Sequence, residues 1–440
     1  MKISRRDALT TAIFGSGMLG LRALATGLPI SFLLDPRKAL ADTPAAPTCG
    51  SPQYIILNTS GLGDPINCNV PGTYDDPNIV HSPDSLMAKA SFTMQGKTVT
   101  GAAPWAALPQ NVLDRTCFFH LMTNTPVHPK EPQVLQLQGA TQAGEMLPSV
   151  LAKQLAPCLK TIQTQPISVG ATSPSETITF NGAALPIIPP TSLKATLANP
   201  AGELTNLQAL RDTTLNSLYD IYRTSASAAQ KAYLDSLVTS TQQVRGIRQD
   251  LLAALSAIAD NSPASQIIAA ITLIQMGVSP VVAIHIPFGG DNHSDTDLKN
   301  ETAQTIAGVQ SIGSLMQQLA TAGLQDQVTF LSLNVFGRTM GPSTSQGRQH
   351  NENHQVSIAI GKPFKGGVIG GIAPAGGDYG ALAIDPATGA GRTGASIAAV
   401  DTLAAFGQTA MAAVGTDPAT ISAQISNGGG TATIIKGALA

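Results

Sequence analysis

The residues best suited to chemistry lie in three short stretches: Pro287-Phe288-Gly289-Gly290-Asp291-Asn292-His293-Ser294-Asp295, Asn334-Val335-Phe336-Gly337-Arg338-Thr339 and Gly347-Arg348-Gln349-His350-Asn351-Glu352-Asn353-His354. Four of the seven histidines, His285, His293, His350 and His354, fall in this part of the chain. Imidazole together with carboxylate suits a divalent metal, zinc above all and calcium as the alternative. Such an ion would polarise a phosphoryl or sulfuryl oxygen and lower the pKa of a bound water. Asp64, at the end of Asn58-Thr59-Ser60-Gly61-Leu62-Gly63-Asp64, adds a carboxylate from an early loop. The expected metal ligands are therefore Asp64, Asp291, His293, His350 and His354. Arg338 could clamp an anionic group through paired hydrogen bonds. His128, in Thr123-Asn124-Thr125-Pro126-Val127-His128-Pro129, is the second residue expected to act on a substrate.

Each of these residues has a plainer reading. Loop histidines can simply be solvated. His354 begins an apolar run and could be a packing residue, and His285, His81 and His120 read as core histidines. Asp64 could cap its own loop, and Arg338 could only hold its turn. Sharper motifs are absent: there is no His-Glu-x-x-His, no Gly-x-x-x-x-Gly-Lys-Ser/Thr and no Gly-x-Ser-x-Gly. No nucleophile declares itself; Thr123 and Thr125 are candidates by position alone.

These stretches have to be carried by something. Tyr54-Ile55-Ile56-Leu57, Cys117 to Met122, Val281 to Ile286, Val328 to Leu333 and Val356 to Ile360 are short apolar runs, predicted to be buried strands. Helical patterns fall around Glu145 to Gln154 and over Gln266 to Met276, Glu301 to Ala322 and Ala395 to Ala413. Ile167 to Ile188 reads as turn and strand. Strands alternating with helices imply an α/β fold: a mostly parallel sheet covered by helices on both faces. Ligands in such sheets gather beyond the carboxyl ends of the strands, where these loops fall. A helical insertion is expected at about 204–262.

The amino terminus reads Met1-Lys2-Ile3-Ser4-Arg5-Arg6-Asp7-Ala8-Leu9, followed by an apolar stretch interrupted by glycines and ending in Ala39-Leu40-Ala41. This is the grammar of a removable signal of the twin-arginine type, cut before Asp42. The expected organisation is residues 1–41 as signal and 42–440 as one domain. Export to the periplasm or outside the cell is expected, with the twin-arginine translocase as the transient partner. Taking six basic and two acidic residues from totals of 25 and 27 leaves 19 and 25, a net charge of −6. That balance argues against a nucleic-acid partner. No apolar run after Asp42 reads as a stable membrane span. The destination permits disulfides, and Cys49–Cys68 is the first pairing to test among Cys49, Cys68, Cys117 and Cys158.

Taken together, the Arg5-Arg6 start, Gly289-Gly290-Asp291-Asn292-His293, Phe336-Gly337-Arg338-Thr339, Gly347-Arg348-Gln349-His350 and Gly366-Gly367-Val368-Ile369-Gly370-Gly371 resemble a large uncharacterised family of twin-arginine-exported bacterial proteins. That family is distantly similar to the alkaline phosphatase and sulfatase superfamily. The resemblance implies an alkaline-phosphatase-like α/β fold with Asp and His metal ligands at strand ends and a Ser, Thr or modified Cys nucleophile. On it, Asp291 and His293 match a Gly-Gly-x-Asp-x-His element with one residue fewer, His350 matches the His of Gly-x-Asp-His, and Asp64 matches an acidic position after the first strand. Two positions depart: Val335, after Asn334, stands where an acid is usual, and Gln349 stands where Asp is usual. The activity implied is metal-dependent hydrolysis of phosphate or sulfate esters. A non-catalytic binding or assembly protein that keeps the fold is the alternative, motivated by the two missing acids.

Overall fold

The computed structural model describes residues 50–171, 176–198, 217, 220, 224, 253–342, 346–426 and 433–440. The expected signal and nearly all of the expected helical insertion lie outside these residues. The core of the fold is a seven-stranded sheet of β1 (Tyr54–Ser60), β2 (Thr116–Leu121), β3 (Ile167–Ser168), β4 (Val281–Ile284), β5 (Val328–Asn334), β6 (Gln355–Ile360) and β7 (Gly367–Ile369), ordered β7-β2-β6-β5-β1-β4-β3. β1 runs parallel to β4 and β5, β3 parallel to β4, and β7 parallel to β2. β6 is antiparallel to both its neighbours, β2 and β5, so it alone runs against the other six strands.

The strands are apolar on both faces because both faces are covered. Ile56, Phe118, Val282, Ile284, Phe330 and Ile358 point into one core, with α2 (Pro263–Gln275), α3 (Lys299–Thr321) and Trp105. Their neighbours Ile55, Leu57, Phe119, Leu331 and Leu333 point the other way, against α1 (Leu147–Leu159) and α4 (Thr402–Ala413). The period of two along each strand thus feeds two cores rather than one core and solvent. Burying one such side chain contributes about 2 kcal/mol.

Three expectations are corrected at the level of elements. The last helix starts at Thr402 rather than Ala395, because Ile397 exchanges two backbone hydrogen bonds with Ile384 and is held extended. The fourth strand stops at Ile284: the next two amides donate to side chains instead, His285 N to Gln266 Oε1 at 2.7 Å and Ile286 N to Asn58 Oδ1 at 2.6 Å. The Cys49–Cys68 pairing does not form. Cys68 and Cys117 are free, buried thiols, and the disulfide-bonded cysteine among the described residues is Cys158. Among the described residues no helix is long and apolar enough to cross a membrane.

Candidate metal centre

Four loops meet at the carboxyl edge of the sheet. Three leave the ends of β1, β2 and β4; the fourth enters β6, whose reversed direction puts the segment before it, not after it, at this edge. His128, Asp291, His293 and His350 each present one ligand atom there, all within 4.8 Å of one another. His293 Nε2 lies 2.8 Å from His350 Nε2 and 3.3 Å from Asp291 Oδ1, and His128 Nε2 lies 3.4 Å from Asp291 Oδ2. Donors around a tetrahedral zinc at about 2.0–2.1 Å stand roughly 3.4 Å apart, so the spacing fits one small cation.

The outer nitrogens are already spoken for. His128 Nδ1 lies 2.9 Å from the Gly61 carbonyl, and His350 Nδ1 lies 2.5 Å from the Pro126 carbonyl. A carbonyl can only accept, so each Nδ1 carries a proton, and in the neutral ring Nε2 is the atom that offers a lone pair. Fixing the tautomer through the second nitrogen is how metal-binding imidazoles are oriented. Burial and the neighbouring Arg338 charge hold the His350 imidazole below its usual pKa, which favours the neutral, ligating form.

Each side chain is placed by identifiable local chemistry. Pro129 starts a short 3-10 turn at His128–Lys130, fixing the backbone beside His128. Gly289 and Gly290 have φ of 122° and 54°, a turn that glycine makes without strain and that aims Asp291 back at the sheet. Asp64 holds this turn: its Oδ1 accepts from Phe288 N at 3.0 Å and Gly290 N at 2.7 Å. The Asn334 amide in turn brackets Asp64, accepting from its N–H at 3.1 Å and donating to its carbonyl at 2.8 Å. Behind His293, the buried Glu301 takes two donors of Arg348, at 2.7 and 3.0 Å, and the side-chain amides of Asn69 and Asn292. This hub ties the segment carrying His293 to the one carrying His350. Gly347 lies against the Asn292 carbonyl and the His293 backbone so closely that a methyl group would collide with both.

Arg338 and His350 are cross-strand partners in a two-residue antiparallel ladder, Gly337–Arg338 with His350–Asn351. Arg338 is fully buried, and its guanidinium is committed to the protein. Nη2 donates to Asp291 Oδ1 at 3.0 Å and to the Leu62 carbonyl at 2.6 Å, Nε donates to the Gly63 carbonyl, and Nη1 is 3.3 Å from His293 Nε2. Phe336 packs against the whole group: its ring stacks on His350 at 4.1 Å and tilts against His128 at 5.0 Å, and the Arg338 guanidinium lies over it at 5.3 Å.

Of the residues expected to bind metal, Asp291, His293 and His350 come together; His128, expected to act on a substrate, joins them. Asp64 and His354 are placed differently. Asp64 sits behind the turn as described. The His354 ring is engaged at both nitrogens, Nε2 with His120 Nδ1 at 2.9 Å and Nδ1 with Asn67 Nδ2 at 3.3 Å, in a fully buried setting. Thr125 gives its hydroxyl to the Val335 carbonyl, and the Thr123 hydroxyl is buried without a partner. Residue type and spacing alone do not single out Phe336, Asn334, Glu301 or Arg348. Phe336, Asn334 and Arg348 stand within the same short stretches as Arg338 and His350, and that proximity is the one signal the sequence offers.

Comparison with curated proteins finds no match. Residues 193–383, which carry Asp291, His293, Arg338 and His350, match a family described as a protein of unknown function, DUF1501.

Proposed function

We propose that this chain is an exported hydrolase of phosphate or sulfate esters that works with one divalent cation, zinc by preference. The observation that carries the reading is the convergence of three imidazoles and one carboxylate, two of the imidazoles oriented through their Nδ1 atoms, at the carboxyl edge of an α/β sheet. His128, Asp291, His293 and His350 would hold the ion. The ion would supply Lewis acidity toward the ester oxygen and a more acidic water. Arg338 acts as a positioning residue: it fixes Asp291 Oδ1 and adds a buried positive charge beside the ligands, which favours an anionic substrate. One carboxylate against a divalent ion and an arginine leaves the centre net positive, whereas two cations would need more acid than Val335 and Gln349 allow. The distant likeness to the alkaline phosphatase superfamily supports the same reaction class; that likeness implies a side-chain nucleophile, but the positional candidates Thr123 and Thr125 are fully buried, so a water is the attacking group here. Export rests on Arg5-Arg6 and the Ala39-Leu40-Ala41 end.

Purified protein should take up about one zinc per chain, and chelator should lower its melting temperature. Hydrolysis of p-nitrophenyl phosphate or p-nitrophenyl sulfate should depend on that zinc. A chain that binds no zinc, and whose stability ignores chelator, would sink the proposal and leave the alternative of a non-catalytic binding protein. Replacing Arg5 and Arg6 by lysine should abolish export of a folded reporter.

A further inference from the structure

A groove of about 460 Å³ opens beside the centre and shares Asp291, Gly290 and Leu62 with it. Its lining is unusual for a site meant to hold an anion. Among the described lining residues Asp291, at the end next to the candidate ligands, is the one carboxylate, and there is neither lysine nor arginine. Amides dominate instead: Asn261, Gln266, Asn300 and Gln304. Gln266 stiffens the wall, accepting from His285 N at 2.7 Å and donating to the Asn261 carbonyl at 3.0 Å. Gln304 uses Oε1 for Gly289 N at 2.9 Å, and Asn300 uses Nδ2 for the Gly289 carbonyl at 2.9 Å. The other end of each of these two amides remains for a ligand.

His285 supplies the independent observation. It lines the groove and is only 4% exposed. Its Nδ1 lies 3.0 Å from the Thr59 carbonyl and 3.3 Å from a Glu176 carboxylate oxygen, both acceptors, so Nδ1 carries a proton. Its Nε2, across the ring, is buried with no protein partner. A buried polar atom left without a partner costs about 1–3 kcal/mol, and a group that hydrogen-bonds to it recovers that cost. Pro287 and Leu62 supply apolar surface between the polar groups.

We infer that this groove is a subsite for an uncharged, polyhydroxylated group the size of one sugar ring, carried by the ester whose anionic end lies at the centre. Amides and an unpartnered imidazole nitrogen suit hydroxyls, which both donate and accept, and among the described lining residues no lysine or arginine is present to hold a second anionic group. The inference rests on the hydrolase reading for the ester, but the sugar subsite itself is testable without metal.

Metal-free full-length protein should give saturable saturation-transfer NMR signals with at least one of glucose, galactose, N-acetylglucosamine or myo-inositol. Gln304→Glu keeps the acceptor for Gly289 N and removes the free donor; it should weaken that binding about tenfold, the loss of roughly one hydrogen bond. His285→Phe should do the same, and zinc uptake by the Gln304→Glu chain should stay within about threefold of the parent. Absence of saturable binding for all four probes, or binding unchanged in both variants, overturns the subsite. Sugar binding that persists in a chain unable to take up zinc supports the subsite and refutes the hydrolase reading alone.

Discussion

His120 and His354 stand eight and four residues from His128 and His350, at the same edge of the same sheet, yet their nitrogens meet a different fate. In the buried pair the hydrogen bonds form a closed chain. The Pro71 carbonyl, 2.9 Å from His120 Nε2, can only accept, so that nitrogen is protonated; His120 Nδ1 then accepts from His354 Nε2, and His354 Nδ1 accepts from the Asn67 amide. Nothing is left over for a ligand. In the half-exposed group, backbone carbonyls take one nitrogen each from His128 and His350 and leave the other turned toward Asp291 and His293. What leaves a histidine able to act as a ligand is not burial or neighbourhood in sequence but whether its second nitrogen is consumed by the protein.

The contrast can be broken experimentally, most forcefully from the buried side. His354→Ala removes a fully buried ring and orphans His120 Nδ1; it should cost about 3–5 kcal/mol in urea unfolding, while zinc affinity per folded molecule stays near that of the parent. Equal stability in the variant would show that the buried chain is not structural.

Acid provides the next largest test. Burial pushes the His120 imidazole down to about 4 and that of His354 well below its usual value. A histidine whose folded pKa is lowered contributes stability above its unfolded pKa of about 6.5, and that stability is lost as pH falls toward the folded value. For His120 alone the loss should approach about 3 kcal/mol between pH 6.5 and 4, read from the denaturation midpoint in metal-free protein. A midpoint flat across this window would contradict neutral, buried rings.

The smallest effect on the fold, and the sharpest on binding, should come from the open group. His293→Ala should weaken zinc binding by at least about 100-fold by calorimetry, yet shift metal-free stability by no more than about 0.5 kcal/mol. A large stability loss without zinc would mean that the two groups of histidines are not different in kind.

Much of this was legible in advance, and the exceptions share a cause. Apolar runs such as Ile55-Ile56-Leu57 and Phe330-Leu331 announce strands because both faces are buried. They carry no arrow, so the reversal of β6 could not be read, and with it went the distinction between His350 and His354. Asp64 has the right residue type at the right strand end, but the turn at Gly289 and Gly290 consumes one carboxylate oxygen in backbone hydrogen bonds. His128 joined the group because its loop bends back to the Gly61 carbonyl, a contact between positions 67 apart in sequence. Cysteine pairing failed for the general reason that spacing does not determine connectivity.

The short ladder between Gly337–Arg338 and His350–Asn351 has a consequence for how such a protein can change. Its rungs are anchored on one side by the guanidinium network and on the other by Phe336, and Gly347 and Arg348 are locked against the loop opposite. The sequence between the two rungs, from Thr339 to Gln349, carries none of the four candidate ligands. Doubling a loop's length costs only about 0.6 kcal/mol. Insertions between the rungs would leave the ladder in register, so length could change there without retuning the candidate ligands themselves.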